Sequence, residues 1–274
     1  MNFHIGIMQG RLSPPVNGRI QAFPLAHWRE EFVEASKLGF SSIEWIFESP
    51  IDSNPLWQNQ GRNELSVVCR QSGVRVPFVC ADYFMEVPLV RMSAAALDSN
   101  RQVLAALIDY AAALDVRGIE IPCVDASAIR SLVEEDELAS ALSPLLDLAQ
   151  QKGIELGLET SLPPGRFRAL LERIGHPAIK ANYDSGNSAS LGYDPGEEIE
   201  AYGSWINNVH IKDRLLGGGT VPLGTGHADI PRLLALLKGI GYQGEFILQA
   251  ARGTDDCRTA ERYKAQLAGW LAAV

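Results

Sequence analysis

Four polar residues, Glu159, Asp184, His210 and Gln249, each close a short apolar run: LGLE, NYD, NVH and FILQ. Such runs read as short buried strands, so each side chain stands where a strand ends. Glu159 and Asp184 are 25 residues apart and Asp184 and His210 are 26 apart, about one strand-plus-helix unit each. His210 and Gln249 are 39 apart, the excess falling in a Gly-rich loop over 213–228. Side chains at that spacing come from successive strands and meet at one end of a parallel sheet. Two carboxylates, an imidazole and an amide oxygen make a hard donor set for one divalent metal ion. Mn²⁺ suits it first, with Mg²⁺, Co²⁺ or Zn²⁺ as alternatives. Each residue also has a simpler reading by itself. Asp184 in NYDSGN can make an Asx turn with Ser185 and Gly186, and His210 can be a satisfied core histidine. Their convergence favours a metal site.

The elements that must position them alternate along the chain. Strands read over 4–9, 41–46, 75–81, 116–122, 154–159, 178–184, 206–212 and 245–249. Helices read from Trp28 to Leu38 with Gly39 as the stop, and over 62–72, 94–114, 134–151, 166–174, 195–203, 230–238 and 256–271. Eight strand–helix units imply a parallel (β/α)₈ TIM barrel over residues 1–274 as one domain. A dinucleotide fold would need a Gly-rich turn after its first strand, and GIMQGRLSPP has too few glycines at the wrong spacing.

Barrel chemistry sits at the C-terminal ends of the strands. Read strand by strand, those ends add Arg11, Glu44, Asp82, Glu120, Lys212 and Arg252 to the four above. Asn187 follows in the NYDSGN motif. Lys212 and Gln249 join Glu159 as candidate catalytic residues. Arg11, Glu44, Asp82, Glu120, Asn187 and Arg252 are candidates for holding substrate. The loop over 216–226 precedes a helix N-terminus, where backbone N–H groups can hold a phosphate or sugar hydroxyls. A flexible surface loop is the competing reading.

Composition excludes several classes. The net charge of −9 argues against a nucleic-acid binder, which needs a basic face. No apolar segment approaches the roughly 20 residues that span a bilayer, and the N-terminus lacks signal-peptide character. The four cysteines form no CxxC pair and read as reduced thiols, which points to a cytoplasmic protein. A homo-oligomer with a contact through Trp28, Trp57 and the 47–60 loop is a further expectation.

The ordered set GLET, NYDSGN, HIKD and PLGTGHADI resembles the xylose-isomerase-like TIM-barrel superfamily, most of all its 3-epimerases of ketoses and pentulose phosphates. The resemblance is clearest over 153–250. It implies a carbohydrate substrate and one bound cation, usually Mn²⁺. It makes Glu159 both ligand and acid/base, Asp184 and His210 ligands, and Gln249 the occupant of a second Glu position. The implied activity is a metal-dependent sugar or sugar-phosphate isomerase or epimerase, working through an enediolate with Glu159 as base. Because an amide cannot act as the second base, a lyase or dehydratase on a keto-sugar or polyol stays open. So does a non-catalytic carbohydrate-binding protein. An apurinic-site endonuclease of the same superfamily would need more histidines than the five present.

Overall fold

Eight short strands close on themselves into a sheet that is buried on both faces, with apolar residues interrupted by a few buried polar ones. SIEWI at Ser42–Ile46 and GIEIPC at Gly118–Cys123 are buried at every residue, as strands are when a barrel core lies inside and helices outside. The computed structural model describes residues 4–274. Its strands are β1 (His4–Met8), β2 (Ser42–Ile46), β3 (Phe78–Cys80), β4 (Gly118–Cys123), β5 (Glu155–Thr160), β6 (Ile179–Asp184), β7 (Ile206–Ile211) and β8 (Glu245–Leu248). They pair in parallel in chain order, and β8 returns to β1 through Ile5 opposite Phe246 and Ile7 opposite Leu248. This is the expected (β/α)₈ barrel.

The helices are α1 (Trp28–Lys37), α2 (Asn59–Ser72), α3 (Tyr83–Glu86), α4 (Ala94–Ala112), α5 (Leu132–Lys152), α6 (Pro164–Ile174), α7 (Ser185–Leu191), α8 (Pro195–Tyr202), α9 (Ile230–Gly239) and α10 (Asp256–Ala273). Their ends follow local chemistry. Ser131 caps α5 by accepting the Glu134 N–H, and Gly153 closes it at φ 71°, a left-handed conformation that glycine adopts without steric cost. Three segments differ most from the sequence expectation. The third strand shrinks from 75–81 to Phe78–Cys80, because Pro77 has no N–H to give a neighbouring strand. Helices α3 and α7 are additions.

On α1, Trp28, Phe32 and Ala35 face inward at 0–1% exposure. Trp28 packs edge-on against Trp45 of β2, with ring centres 5.4 Å apart. Burying each such ring stabilises the fold by about 2–3 kcal/mol. Trp28 is therefore core and offers no oligomer contact, contrary to the expectation. Trp57 packs against Phe47 and Tyr110.

Two buried carboxylates hold the loops that rise over the C-terminal mouth. Glu31 of α1, 1% exposed, accepts from Gly10 N–H, Leu12 N–H and the Ser13 hydroxyl at 2.8–3.0 Å. That fixes the β1–α1 loop. Asp213, fully buried, accepts from the N–H groups of Gly224, Gly226 and Ala228 at 2.8–3.0 Å. The Gly-rich loop is thus folded around the chain's own anion, and it is not a slack surface segment. The N-terminus of α9 is likewise capped by Asp229, which accepts the Arg232 N–H.

Candidate active site at the barrel mouth

Strand register sets the depth of each functional side chain. Asp184 of β6 lies level with His210 of β7, and Glu159 of β5 lies level with Pro122 of β4. Glu120 pairs with Gly157 and Glu44 with Met8. Glu120, two residues before Pro122, therefore lies one layer deeper than Glu159. The donor atoms of Glu159, Asp184 and His210 lie within 4.8 Å of one another, and those of Glu44, Glu120 and His210 do the same. His210, fully buried, is shared by both trios.

The histidine is oriented from below. Its Nε2 lies 2.9 Å from Glu44 Oε2, which also accepts from Asn208 Nδ2 at 2.9 Å. Its Nδ1 faces Glu159 Oε2 at 3.6 Å and Asn182 Nδ2 at 3.2 Å. Burial alone would push the imidazole down, but the Glu44 and Glu120 carboxylates outweigh it and hold it well above its ordinary value. The Asn182 amide nitrogen is a donor, however, and its approach to Nδ1 fits a ring unprotonated at that atom. Nε2–H donates to Glu44, and Nδ1 is the position open to an electrophile.

Charge then separates the two carboxyls above and below the ring. Burial would raise Glu159, but His210, the Glu120 carboxyl and the Lys212 ammonium bring it down to about 2. The Asn182 amide donates to its Oε2 at 2.9 Å and the Asn187 amide to its Oε1. Burial holds Glu120 well above the usual carboxylate range, reinforced by Glu159 and Glu44 against the pull of His210. Its Oε2 has no hydrogen-bond partner among the described residues. Glu159 is thus the ionised member of the pair and Glu120 the neutral one.

From the end of β7, the Lys212 ammonium donates to Asp184 Oδ2 and to Gln249 Oε1, both at 3.1 Å. Asp184 Oδ1 meanwhile accepts the N–H groups of Gly186 and Asn187 at 2.8 Å, starting α7. The Asx turn and the site role therefore occupy different oxygens of one carboxylate. Gln249 also donates from Nε2 to Gln21 Oε1 at 3.0 Å, and Gln21 donates to Asp82 Oδ2 at 2.9 Å. The Gln249 oxygen thus shares the Lys212 ammonium with Asp184, and its nitrogen meets an amide oxygen.

A cavity of about 390 Å³ opens above these groups, lined among others by Glu120, Glu159, Asn187, Lys212, Arg214 and Gln249. Arg11 and Asp82 also reach it. Arg11 is 6% exposed and gives its three nitrogens to Ala250 O, Ile20 O and Gln21 Oε1, while burial and Arg252 lower it to about 10. Arg252, expected to hold substrate, is instead a clamp. It donates to the carbonyls of Gly10, Ser13 and Ile20 and pairs with Asp256 at 2.8 Å. Glu44 lies below the cavity as the partner of His210. Sequence reasoning did not single out Asn182, Gln21 or Arg214. Asn182 carried a signal, since it lies two residues before Asp184 on the same strand face.

The residues present fit a divalent cation. Glu159, Asp184 and His210 supply two carboxylates and an imidazole in one cluster. The histidine's far nitrogen is tied to a carboxylate, the usual support of a metal-binding imidazole. The Asn182 Oδ1 is a further buried oxygen without a partner among the described residues.

Residues 32–274 match the sequence profile of the xylose isomerase-like TIM barrel. The chain belongs to this family. Among its relatives is 2-epi-5-epi-valiolone 7-phosphate 2-epimerase of Actinoplanes sp., 29% identical over 244 residues, covering 87% of this chain and 83% of that protein. L-ribulose-5-phosphate 3-epimerase UlaE of Escherichia coli is 25% identical over 255 residues, covering 90% and 89%. A solved structure of an L-ribulose 3-epimerase superposes with a TM-score of 0.80 at 18% identity, covering 99% of this chain and 95% of that one. By this relationship the chain is an isomerase- or epimerase-like enzyme.

Proposed function

We propose that this barrel is a divalent-metal-dependent epimerase or isomerase of a keto-sugar or keto-sugar phosphate. The convergence of Glu159, Asp184 and His210 at the mouth carries the reading, and two relatives named as epimerases of phosphorylated substrates support it. Those three residues would hold the cation, with Mn²⁺ the ion that best suits the set. A bound cation supplies Lewis-acid polarisation of a carbonyl and its neighbouring hydroxyl.

The chain's own residues do the rest. Glu159, ionised and steadied by Asn182 and Asn187, takes the proton from the carbon beside the carbonyl. The amide of Gln249 has no proton to exchange at neutral pH. Its oxygen instead holds the Lys212 ammonium, which stands on the β7–β8 side of the cavity. From there Lys212 returns a proton to the opposite face of the carbon, which inverts it. Glu120 and Asp82 line the cavity as partners for substrate hydroxyls. A lyase keeps one observation in its favour, since one-base elimination needs no acid at position 249. Its product would be an unsaturated or deoxy sugar, with no epimer formed.

Calorimetric titration with Mn²⁺ tests the site. We expect saturable binding of about one ion per chain, lost in the Asp184→Ala, His210→Ala double variant. Absence of binding in the unaltered chain would sink the metal reading.

A further inference from the structure

The walls of the cavity differ in charge. After β2, β3 and β4 it is lined by Glu48, Asp82, Glu86 and Asp125. After β7 it is lined by Lys212, Arg214, Gly219 and Thr220. The cations that reach it are not equally committed. Arg19 pairs with Glu48 at 3.0 Å and Lys212 with Asp184 at 3.1 Å. Arg11 is almost wholly buried. Arg214 is half-buried, and its acceptors are neutral: Gly218 O from Nε and Nη2 at 3.0 and 2.8 Å, and Asn187 Oδ1 from Nη1 at 2.8 Å. A guanidinium carries five N–H groups, so three bonds leave two for a ligand. Among the described residues Arg214 has no carboxylate partner.

Its position is also built in advance. Asp213 gathers three N–H groups of the same loop, Leu215 N–H bonds Gly219 O, and Gly217 N–H bonds Ser190 O. The fork of the guanidinium grips the Gly218 carbonyl, so a ligand would meet a cation already ordered.

We propose that Arg214, on the arm folded around Asp213, is the subsite for the anionic end of the substrate, a phosphate ester. This rests on the keto-sugar phosphate reading above and places the phosphate on the β7 wall, away from the acidic wall after β2–β4. Arg214 also fixes Asn187. Because a guanidinium only donates, it takes the Asn187 carbonyl and leaves the amide N–H groups for Glu159. The arm that holds the phosphate is therefore one side chain away from the base.

The test titrates inorganic phosphate against the full chain, with and without Mn²⁺, following the rise in unfolding temperature. We expect a saturable rise in both states. Arg214→Gln should need at least about tenfold more phosphate, the size expected for loss of charged hydrogen bonds. Arg214→Lys should fall between, since a lysine offers charge without the fork. Arg19→Gln on the other wall should match the unaltered chain within about twofold. A response seen only with Mn²⁺ would place the ion at the metal, and a loss in Arg19→Gln but not Arg214→Gln would place it on the wrong wall. Either result overturns the proposal, as would no response at all. If Arg214→Gln does not fold, an unchanged phosphate requirement in Arg214→Lys overturns it equally. A kinetic comparison adds a second reading. Arg214→Gln should raise KM for a ketopentose 5-phosphate by a larger factor than KM for the free ketopentose, and an equal rise for both would contradict the assignment. The titration needs no turnover, so a protein that binds phosphate through Arg214 but epimerises no sugar would refute the reaction and leave the subsite standing.

Discussion

Glu120 is held neutral by burial and by the two carboxylates beside it, and this has a consequence for stability. A carboxyl whose folded value is raised contributes stability that is fully present below its unfolded value, near 4.5, and is lost as pH rises through the folded value. Glu120→Gln copies the neutral form. In chelator-treated protein, the variant should match the unaltered chain near pH 5 and unfold at a higher temperature above neutral pH. An equal difference at all pH values, measured by thermal unfolding across pH 5–9, would show that the carboxyl is not held neutral. Glu159, Asp184 and His210 were legible in the sequence because each follows an apolar strand run, and strand ends in a barrel share one mouth. The partner of Gln249 was not. Which way Lys212 bends depends on acceptors 28 and 37 residues away, and no local pattern encodes that. Gln21 and Arg214 lie in loops, where there is no periodicity to give a direction.

At the scale of elements, the β7–α9 loop shows how a glycine-rich stretch becomes rigid. A Cβ on Gly226 would lie 2.2 Å from Asp213 Oδ1 and 2.6 Å from Arg214 O, and backbone on one side leaves no way to yield. Gly226→Ala should cost about 1–3 kcal/mol and free the arm. In that variant, exchange at the amides of Gly224, Ala228 and position 226 should rise well above that of the flanking strand β7. Unchanged protection at those amides would contradict the role given to Asp213. The glycines themselves were visible in the sequence, but that their N–H groups converge on a buried aspartate was not. HIKD reads as the end of a strand, with nothing to show that its last residue turns inward. Helix α7 was missed for a related reason. Its residues SGNSASL are poor helix formers, and the cap from Asp184 together with packing against β7 overrides them.

At the scale of the whole molecule, the barrel was readable because eight apolar runs alternate with amphipathic segments, a pattern that open sheets reach less naturally at this length. Chain-order pairing and closure of β8 onto β1 followed once that pattern was recognised. What the pattern could not set was depth. It placed Glu44 and Glu120 level with Glu159, whereas register drops them a layer: Glu44 serves the histidine beneath the cavity, and Glu120 lines the cavity at its deeper level. Among the described residues no helix is long and apolar enough to cross a membrane. In the proposed reaction Glu159 takes the proton from the carbon beside a carbonyl. Incubating ketopentoses and their 5-phosphates with the Mn²⁺-loaded protein in D₂O, and reading the products by NMR, tests this most directly. The account predicts deuterium at that carbon and an epimeric product, both abolished in Glu159→Gln although Mn²⁺ still binds. Incorporation that survives in Glu159→Gln, or an epimer formed without any deuterium, would contradict it.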